Sequence, residues 1–428
     1  MESAPRQAGY LELLRENTSF RRLWTGTVIS LFGDWFNTIA LYSLILELSG
    51  SEFALGAVFI TKMLPWALAS PVAGILADRF NRRRLMILSD ILRAVVVLGF
   101  LIVDEPSEVF LIYALTTAQV VVGAVFQPAK SASVPNIVSR ENLVTANTIM
   151  SATWSILLAL GAAAGGFAVE WFGLEAVFIL DSLSYLLSAW FIYRTVIPQY
   201  TYVSRDASLI RTAHREVMDG LRHIQRYPAI RRMATTKAVW AVGGGGLVFL
   251  LALLGESISP EASSVSIGVL FAARGVGTGL GPVMVRAWVR NESYWPLVIG
   301  CCIALTGAGY LLAGWVAAAF TASFLVAIPI MLAHTAGGAN WVFSTVILQQ
   351  RVVDQFRGRV FATEWLLVMG MESISIFVAS LILEMGLFDL IQVVWLFGGV
   401  SVICGVFWLF FVVPAEKRDR LAGNIPRS

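Results

Sequence analysis

GILADRFNRRR, residues Gly74 to Arg84, interrupts an apolar chain. FALGAVFITKMLPWALASPVA (53–73) precedes it and LMILSDILRAVVVLGFLIV (85–103) follows. One aspartate and four arginines fall between Asp78 and Arg84. Each flank has about the 20 residues a helix needs to cross a hydrocarbon core. The charged stretch therefore reads as a short loop at one membrane surface, between two spans.

Composition points the same way. Of the 428 residues, 57% are hydrophobic and 14% charged, against about 45–50% and about 25% in a soluble domain. A chain this poor in polar surface has lipid as its main solvent. The net charge of +3 is too small to suggest nucleic acid. The cysteines, Cys301, Cys302 and Cys404, sit inside apolar runs with no metal or disulfide spacing. Residues 1–19 mix acids with arginines and hold no apolar core, so the first run, Leu23 to Leu48, is expected to stay as a span rather than be cleaved.

Twelve runs are long enough to span, at 22–48, 53–77, 85–103, 108–128, 147–170, 174–193, 234–255, 262–285, 294–315, 318–347, 360–383 and 388–413. The polar stretch Arg194–Arg232 separates six from six. The expected fold is an all-α membrane protein of twelve transmembrane helices in two six-helix bundles, 1–193 and 234–428, with a linker over 194–233. Twenty-eight of the 31 lysines and arginines fall in the two tails and every second connection, with Lys237 counted in the central one. The alternate connections carry acids instead, among them Glu47, Glu52, Glu256 and Glu384. The positive-inside rule then makes both termini and the linker cytoplasmic. In ASLIRTAHREVMDGLRHIQRYP (207–228), Ile210, Ala213, Val217, Leu221 and Ile224 recur at helical spacing. That pattern predicts an amphipathic helix on the membrane surface, ending near Pro228.

The halves echo each other. GPVMVRAWVRNE (281–292) follows the eighth span as GILADRFNRRR follows the second, and VVDQFRGRVFATE (352–364) answers VSRENLVTANTIM (138–150). Repeats of this kind are common in secondary transporters, with the substrate site between them near the midplane. The stretch Gly74-x-Leu76-Ala77-Asp78-Arg79-x-x-Arg82-Arg83 resembles the signature loop between the second and third helices of the major facilitator superfamily. FGDWFNTIAL (32–41), GSEFALG (50–56), VPNIVSRENLVTAN (134–147) and RGRVFA (357–362) extend the resemblance to the bacterial drug:proton antiporter branch with macrolide-efflux and enterobactin-exporter-like proteins. In that family the aspartate matching Asp78 clasps the cytoplasmic end of the eleventh helix when the inner gate is shut. The resemblance implies a gate motif of Gly74, Asp78, Arg79, Arg82 and Arg83, with Asp78 on the helix end near Arg359. Gly74 would let its helix approach a neighbour closely. The second-half copy has Arg286 near the aspartate's place, so one strong latch is expected.

A charge near the bilayer centre costs about 2.5–3.5 kcal/mol and so faces the bundle interior or a cavity. Asp34 lies midway along the first span and Lys62 midway along the second, so they are expected to pair. Asp90 and Arg93 share a face of the third span at i,i+3. Arg274 is midway along the eighth span, Asp181 lies in the sixth, and Glu364 and Glu372 lie on the eleventh. Asp34 and Glu372, one deep carboxylate per half, are the candidates for proton coupling, with a bridge from Glu372 to Arg274 as the structural alternative. Trp35, Trp66, Trp154 and Trp365 are candidates to line a cavity for an amphipathic ligand. Lone His334 reads as a packed polar residue. GVGTGLG (275–281) and GAAAGG (161–166) read as close helix packing, and GGGG (243–246) as a gating bend.

The expectation is a multi-pass exporter in a bacterial cytoplasmic membrane, moving an amphipathic small molecule, drug-like or siderophore-like, outward in exchange for protons. It calls for no cofactor or metal, and its partners are substrate, protons and membrane lipid; a monomer is the default for the fold. The alternatives are a lysophospholipid or other lipid transporter of the same fold, and a non-transporting scaffold or sensor. No nucleophile elbow, metal cluster or phosphate loop in credible context points to an enzyme.

Overall fold

A computed structural model of the chain describes residues 8–198, 208–289, 291–320 and 322–423. Arg205 and Arg290 lie outside them. The described residues form helices α1 (Tyr10–Glu16), α2 (Thr18–Ser49), α3 (Glu52–Arg79), α4 (Arg82–Leu98), α5 (Val109–Gly123), α6 (Phe126–Ile137), α7 (Leu143–Tyr193), α8 (Leu209–Arg226), α9 (Pro228–Ala234), α10 (Thr236–Ile258), α11 (Ser263–Trp288), α12 (Trp295–Ala319), α13 (Ser323–Arg351), α14 (Asp354–Glu384), α15 (Leu390–Phe407) and α16 (Val413–Leu421), with short 3₁₀ and π turns between some of them. Lipid offers backbone groups no partners, so helices that satisfy their own are the expected solution.

The opening stretch folds as a capped turn. α3 ends at Arg79, and the Asn81 side chain accepts from the Arg84 N–H to start α4. Arg82 donates to the Ala77 and Ala132 carbonyls. Arg83 donates to the carbonyl of Tyr193, the last residue of α7, where the helix dipole favours a cation.

Among the described residues, eleven helical segments are long and apolar enough to cross a membrane. One is too long for a single crossing. The 51 residues of α7 would reach about 75 Å at 1.5 Å per residue, against a core of about 30 Å. Gly173 breaks the helix with φ +79°, a conformation that glycine adopts without penalty. The arms run in opposite directions. Along the first, Thr153 takes a hydrogen bond from Trp24, and Gly161 and Gly165 press on Trp35 and Phe36, so it runs parallel to α2. Along the second, Ser188 lies against Gly26 and Ser184 against Gly33, so it runs antiparallel.

The first and second halves of the chain are tightly joined at the end bearing the acidic connections. Ser51 donates to Glu384 at 2.8 Å, and the Ser43 and Ser264 hydroxyls lie 2.8 Å apart. A Cβ on Gly166 would stand 2.4 Å from the Ser264 carbonyl oxygen. The basic end differs: a Cβ on Gly74 or Gly358 would meet nothing within 4 Å. Gly74 is therefore not the close-packing residue expected of it.

The other glycine runs do pack. A Cβ on Gly277 or Gly281 would meet the Met331 or Thr335 carbonyl oxygen of α13 at 2.2 or 1.9 Å. The GGGG run does not interrupt the helix, because α10 is continuous there. Gly243 and Gly246 seat Phe397, and Gly245 seats the backbone of Glu372. Ser375 does enter the α10 ladder, accepting from the Gly246 N–H and donating to the Val242 carbonyl.

α8 also departs from expectation. Its apolar stripe packs on α14 and touches α3, with Ala213 and Ile224 buried; the Ile210 side chain lies outside the described residues. A protein surface, not lipid, covers that stripe.

Candidate functional site

In the first half of the chain, buried charge converges from three helices. Asp34 on α2 accepts a hydrogen bond from the Tyr185 hydroxyl on the second arm of α7. Arg93 on α4 reaches Asp34 at 3.9 Å and also pairs with Asp90 one turn back. The Arg93 guanidinium lies 4.2 Å from the Tyr185 ring centre and 5.0 Å from that of Phe126, a cation–π arrangement that helps offset desolvation. The Asp90 side chain is fully buried, whereas that of Asp34 is 35% exposed. One cation thus serves two carboxylates of different accessibility.

The expected Asp34–Lys62 pair does not form. The Lys62 ammonium donates to Thr38 Oγ1 at 2.8 Å. Thr38 lies one turn beyond Asp34 on α2 and intercepts the lysine, while Asp34 turns to Tyr185 and Arg93. Tyr185 is a residue sequence reading missed. Asp181, also buried, joins this region through Ser184 and the face of Gly33.

The second half holds a different pair. Lys237 in the first turn of α10 is buried and lies 2.9 Å from Glu364 on α14. It donates to Thr345 and sits 4.9 Å from the Trp341 ring centre. Lys237 lies within the run 234–255 and in α10, so it belongs to the span and not to the linker with which it was counted. Beside it the tryptophans Trp240, Trp341, Trp365 and Trp66 run in edge contact, with successive centroids 6.2, 5.7 and 5.5 Å apart. Trp66 belongs to α3, so this line crosses between the halves. Trp35 packs on Gly161 and faces Phe271 at 6.5 Å. Trp154 is 44% exposed and stands outside both groups.

Glu372 is buried on α14, but among the described residues no ion pair joins it to Arg274, whose guanidinium lies 5.8 Å from the Phe271 ring centre. His334 is a packed polar residue, 2.8 Å from the Tyr310 hydroxyl. The clasp expected of Asp78 is also unmade. Its side chain is 77% exposed and pairs with Arg82 at 3.7 Å on its own loop. The basic end of α14 is held by α8 instead: Asp219 lies 3.5 Å from Arg359, and Thr363 donates to the Val217 carbonyl.

Paired charges buried among membrane-length helices, with a line of tryptophans crossing between the two halves, define a multi-pass membrane transport protein rather than an enzyme. Comparison with known proteins agrees. The model of the transmembrane secretion effector family matches residues 11–379, and the chain belongs to that family of major facilitator superfamily transporters. It is 24% identical to BacE of Bacillus subtilis, provisionally named a bacilysin exporter, over 82% of this chain and 85% of that one. It is 26% identical to YfiS of Bacillus subtilis (strain 168), an uncharacterized MFS-type transporter, over 70% of this chain and 64% of that one. Among solved structures, the nucleoside transporter NupG superposes with a TM-score of 0.72 at 13% identity, covering 92% of this chain and 99% of that one. A bacterial homolog of the human lysosomal transporter Spinster, inward-facing and unoccupied, gives 0.65 at 16%, covering 93% and 95%.

Proposed function

We propose that the protein exports an amphipathic small molecule across a bacterial cytoplasmic membrane by alternating access, in exchange for protons taken up at Asp34. In this reading α7 supplies two spans, giving twelve in two bundles over 1–193 and 234–428, with termini and linker in the cytoplasm. The carrying observation is the Tyr185–Asp34–Arg93–Asp90 network. At about 4 Å, an ion pair is worth about 4 kcal/mol at an effective dielectric constant of about 20. Protonating Asp34 removes that attraction and leaves Arg93 to Asp90 alone. A proton thereby loosens α2 from α4 and α7, which is what a coupling site has to do. The tryptophan line offers apolar faces, and the Lys237–Glu364 pair beside it offers a polar handle. The outward direction rests on the export named for BacE. The exposed Asp78 and the joined acidic end correspond to a state open toward the cytoplasm.

The test is uptake into inside-out vesicles with an imposed proton gradient, across a panel of dyes, macrolides and siderophore-like compounds. Uptake of a panel member that is lost in Asp34→Asn supports the reading, and uptake equal in the variant removes Asp34 from coupling. One observation favours a lipid-like cargo as second reading. A cavity of about 300 Å³ is lined by Gly33 and mainly by apolar residues of α2 and α7, including Phe32, Phe36 and Leu180. Lysophospholipid therefore belongs on the panel.

A further inference from the structure

A second and larger cavity, of about 660 Å³, lies at the basic end, away from the charges assigned to transport. Its walls are the C-terminal half of α8, the start of α9 and the turn from α13 into α14. That volume is within the range of about 300–1,000 Å³ typical of small-molecule sites. The lining includes Arg222, Arg226, Arg359 and His223, with Tyr227 and Phe356 as aromatic walls.

The charges do not balance. Asp219 is set between two guanidinium groups, 3.4 Å from Arg222 and 3.5 Å from Arg359. Arg351, also in the wall, is committed to Glu416 of α16 at 2.5 Å. Arg226 forms no ion pair among the described residues. Among the described residues, three guanidinium groups thus face one carboxylate. His223 Nε2 is buried without a hydrogen-bond partner. Burial, and then the neighbouring Arg226, hold the His223 imidazole below its ordinary range. Three arginines that share one carboxylate, beside an unpartnered imidazole, leave positive charge for a further anion, and guanidinium forks match the oxygens of a phosphate group.

We propose that this cavity binds a phosphate ester, its anionic oxygens on Arg222, Arg226 and Arg359 and its organic body against Tyr227 and Phe356. Val353 in the cavity wall is 55% exposed and Tyr227 is 44% exposed, which gives an attached apolar chain a way out. An anionic phospholipid headgroup carries that chemistry, and so does a soluble phosphate monoester. Basic pockets beside membrane helices are known to take anionic headgroups. A bound phosphate would bridge the arginines of α8 to that of α14 and so fasten the linker helix to the second half of the chain.

Native mass spectrometry of the full chain in detergent tests this, with phosphatidylglycerol, zwitterionic phosphatidylcholine and glycerol 3-phosphate as separate probes. Arg222→Gln/Arg226→Gln removes two exposed arginines of the cavity, and Arg211→Gln/Arg215→Gln removes two from the same helix outside it. We expect phosphatidylglycerol to bind the wild type and the Arg211/Arg215 variant alike, and the cavity variant at least about tenfold more weakly, as loss of a charge-assisted hydrogen bond implies. Glycerol 3-phosphate with the same sensitivity shows that the phosphate ester suffices, whereas phosphatidylglycerol alone shows that the lipid is the source. Equal binding to wild type and cavity variant, equal losses in both variants, or no binding by either anionic probe overturns the proposal.

Discussion

Arg93 is the residue on which the first-half network turns. It touches Asp34, Asp90 and the faces of Tyr185 and Phe126. If these groups act as a unit, Asp34→Asn and Tyr185→Phe will not be additive. A double-mutant cycle on thermal unfolding in detergent is expected to give a coupling of about 0.5–3 kcal/mol; additive losses would separate Tyr185 from the site. The Lys237–Glu364 pair is the second-half counterpart. Lys237→Met or Glu364→Leu alone leaves a buried charge unpaired and should cost about 3–5 kcal/mol, while the double substitution should recover most of it. A double variant as unstable as the singles would refute that assignment. Sequence reading found Asp34, Asp90 and Arg93 because charge inside an apolar run is conspicuous. It missed Tyr185, whose hydroxyl carries no such signal, and misplaced Lys237, which sits where span and linker meet. It paired Asp34 with Lys62 by depth alone, and depth does not reveal that Thr38 stands between them.

Elements were legible where small residues mark contact. GVGTGLG and GAAAGG are packing faces, because a helix can approach another backbone only where side chains are absent. Gly281→Ala places a Cβ 1.9 Å from the Thr335 carbonyl oxygen, so α11 must move from α13. Its melting temperature should fall by an amount matching about 1–3 kcal/mol or more. Gly74→Ala meets open space and should be neutral or slightly stabilising, since alanine favours a helix over glycine by about 1 kcal/mol. Equal effects at the two positions would contradict this packing. At GGGG the glycines receive neighbours without interrupting α10. The amphipathic pattern of α8 identified a helix but not what covers it, since a stripe made for lipid and one made for protein read alike. The α8–α14 seam carries His223 stacked on Phe356 at 4.4 Å. Its imidazole is held below the usual value near 6.5, so the fold favours the neutral form. The resulting stability is present above that value and is lost as pH falls below it. Amide exchange of α8, corrected for intrinsic rates, should therefore rise from pH 7 to pH 5.5, and His223→Gln should flatten the change. An unaltered pH dependence in that variant would clear His223 of the role.

At the scale of the whole molecule, alternating charge along the sequence made the fold class legible. The structure adds which end is joined. Ser51, Glu384, Ser43 and Ser264 close the acidic end, while Asp78 is released at the other. Sequence alone could not show this, since the same residues serve every state of a moving protein. A single cysteine at Asp78 should therefore react readily with a membrane-impermeant maleimide, and one at Ser380, buried against Gly56 near the acidic end of α14, should be protected until the protein turns over. Equal reactivity at both would contradict an asymmetric resting state. The central claim is that a proton at Asp34 drives this exchange of open ends. Its most direct test is proton movement in proteoliposomes with an acidic lumen, read with a pH dye in the lumen as a transported compound is added outside. Wild-type protein in the orientation that carries substrate inward is predicted to raise lumen pH on addition of substrate, and Asp34→Asn to give no change despite normal folding. A substrate-driven rise of equal size in Asp34→Asn, or substrate uptake with no proton movement in the wild type, would contradict the account.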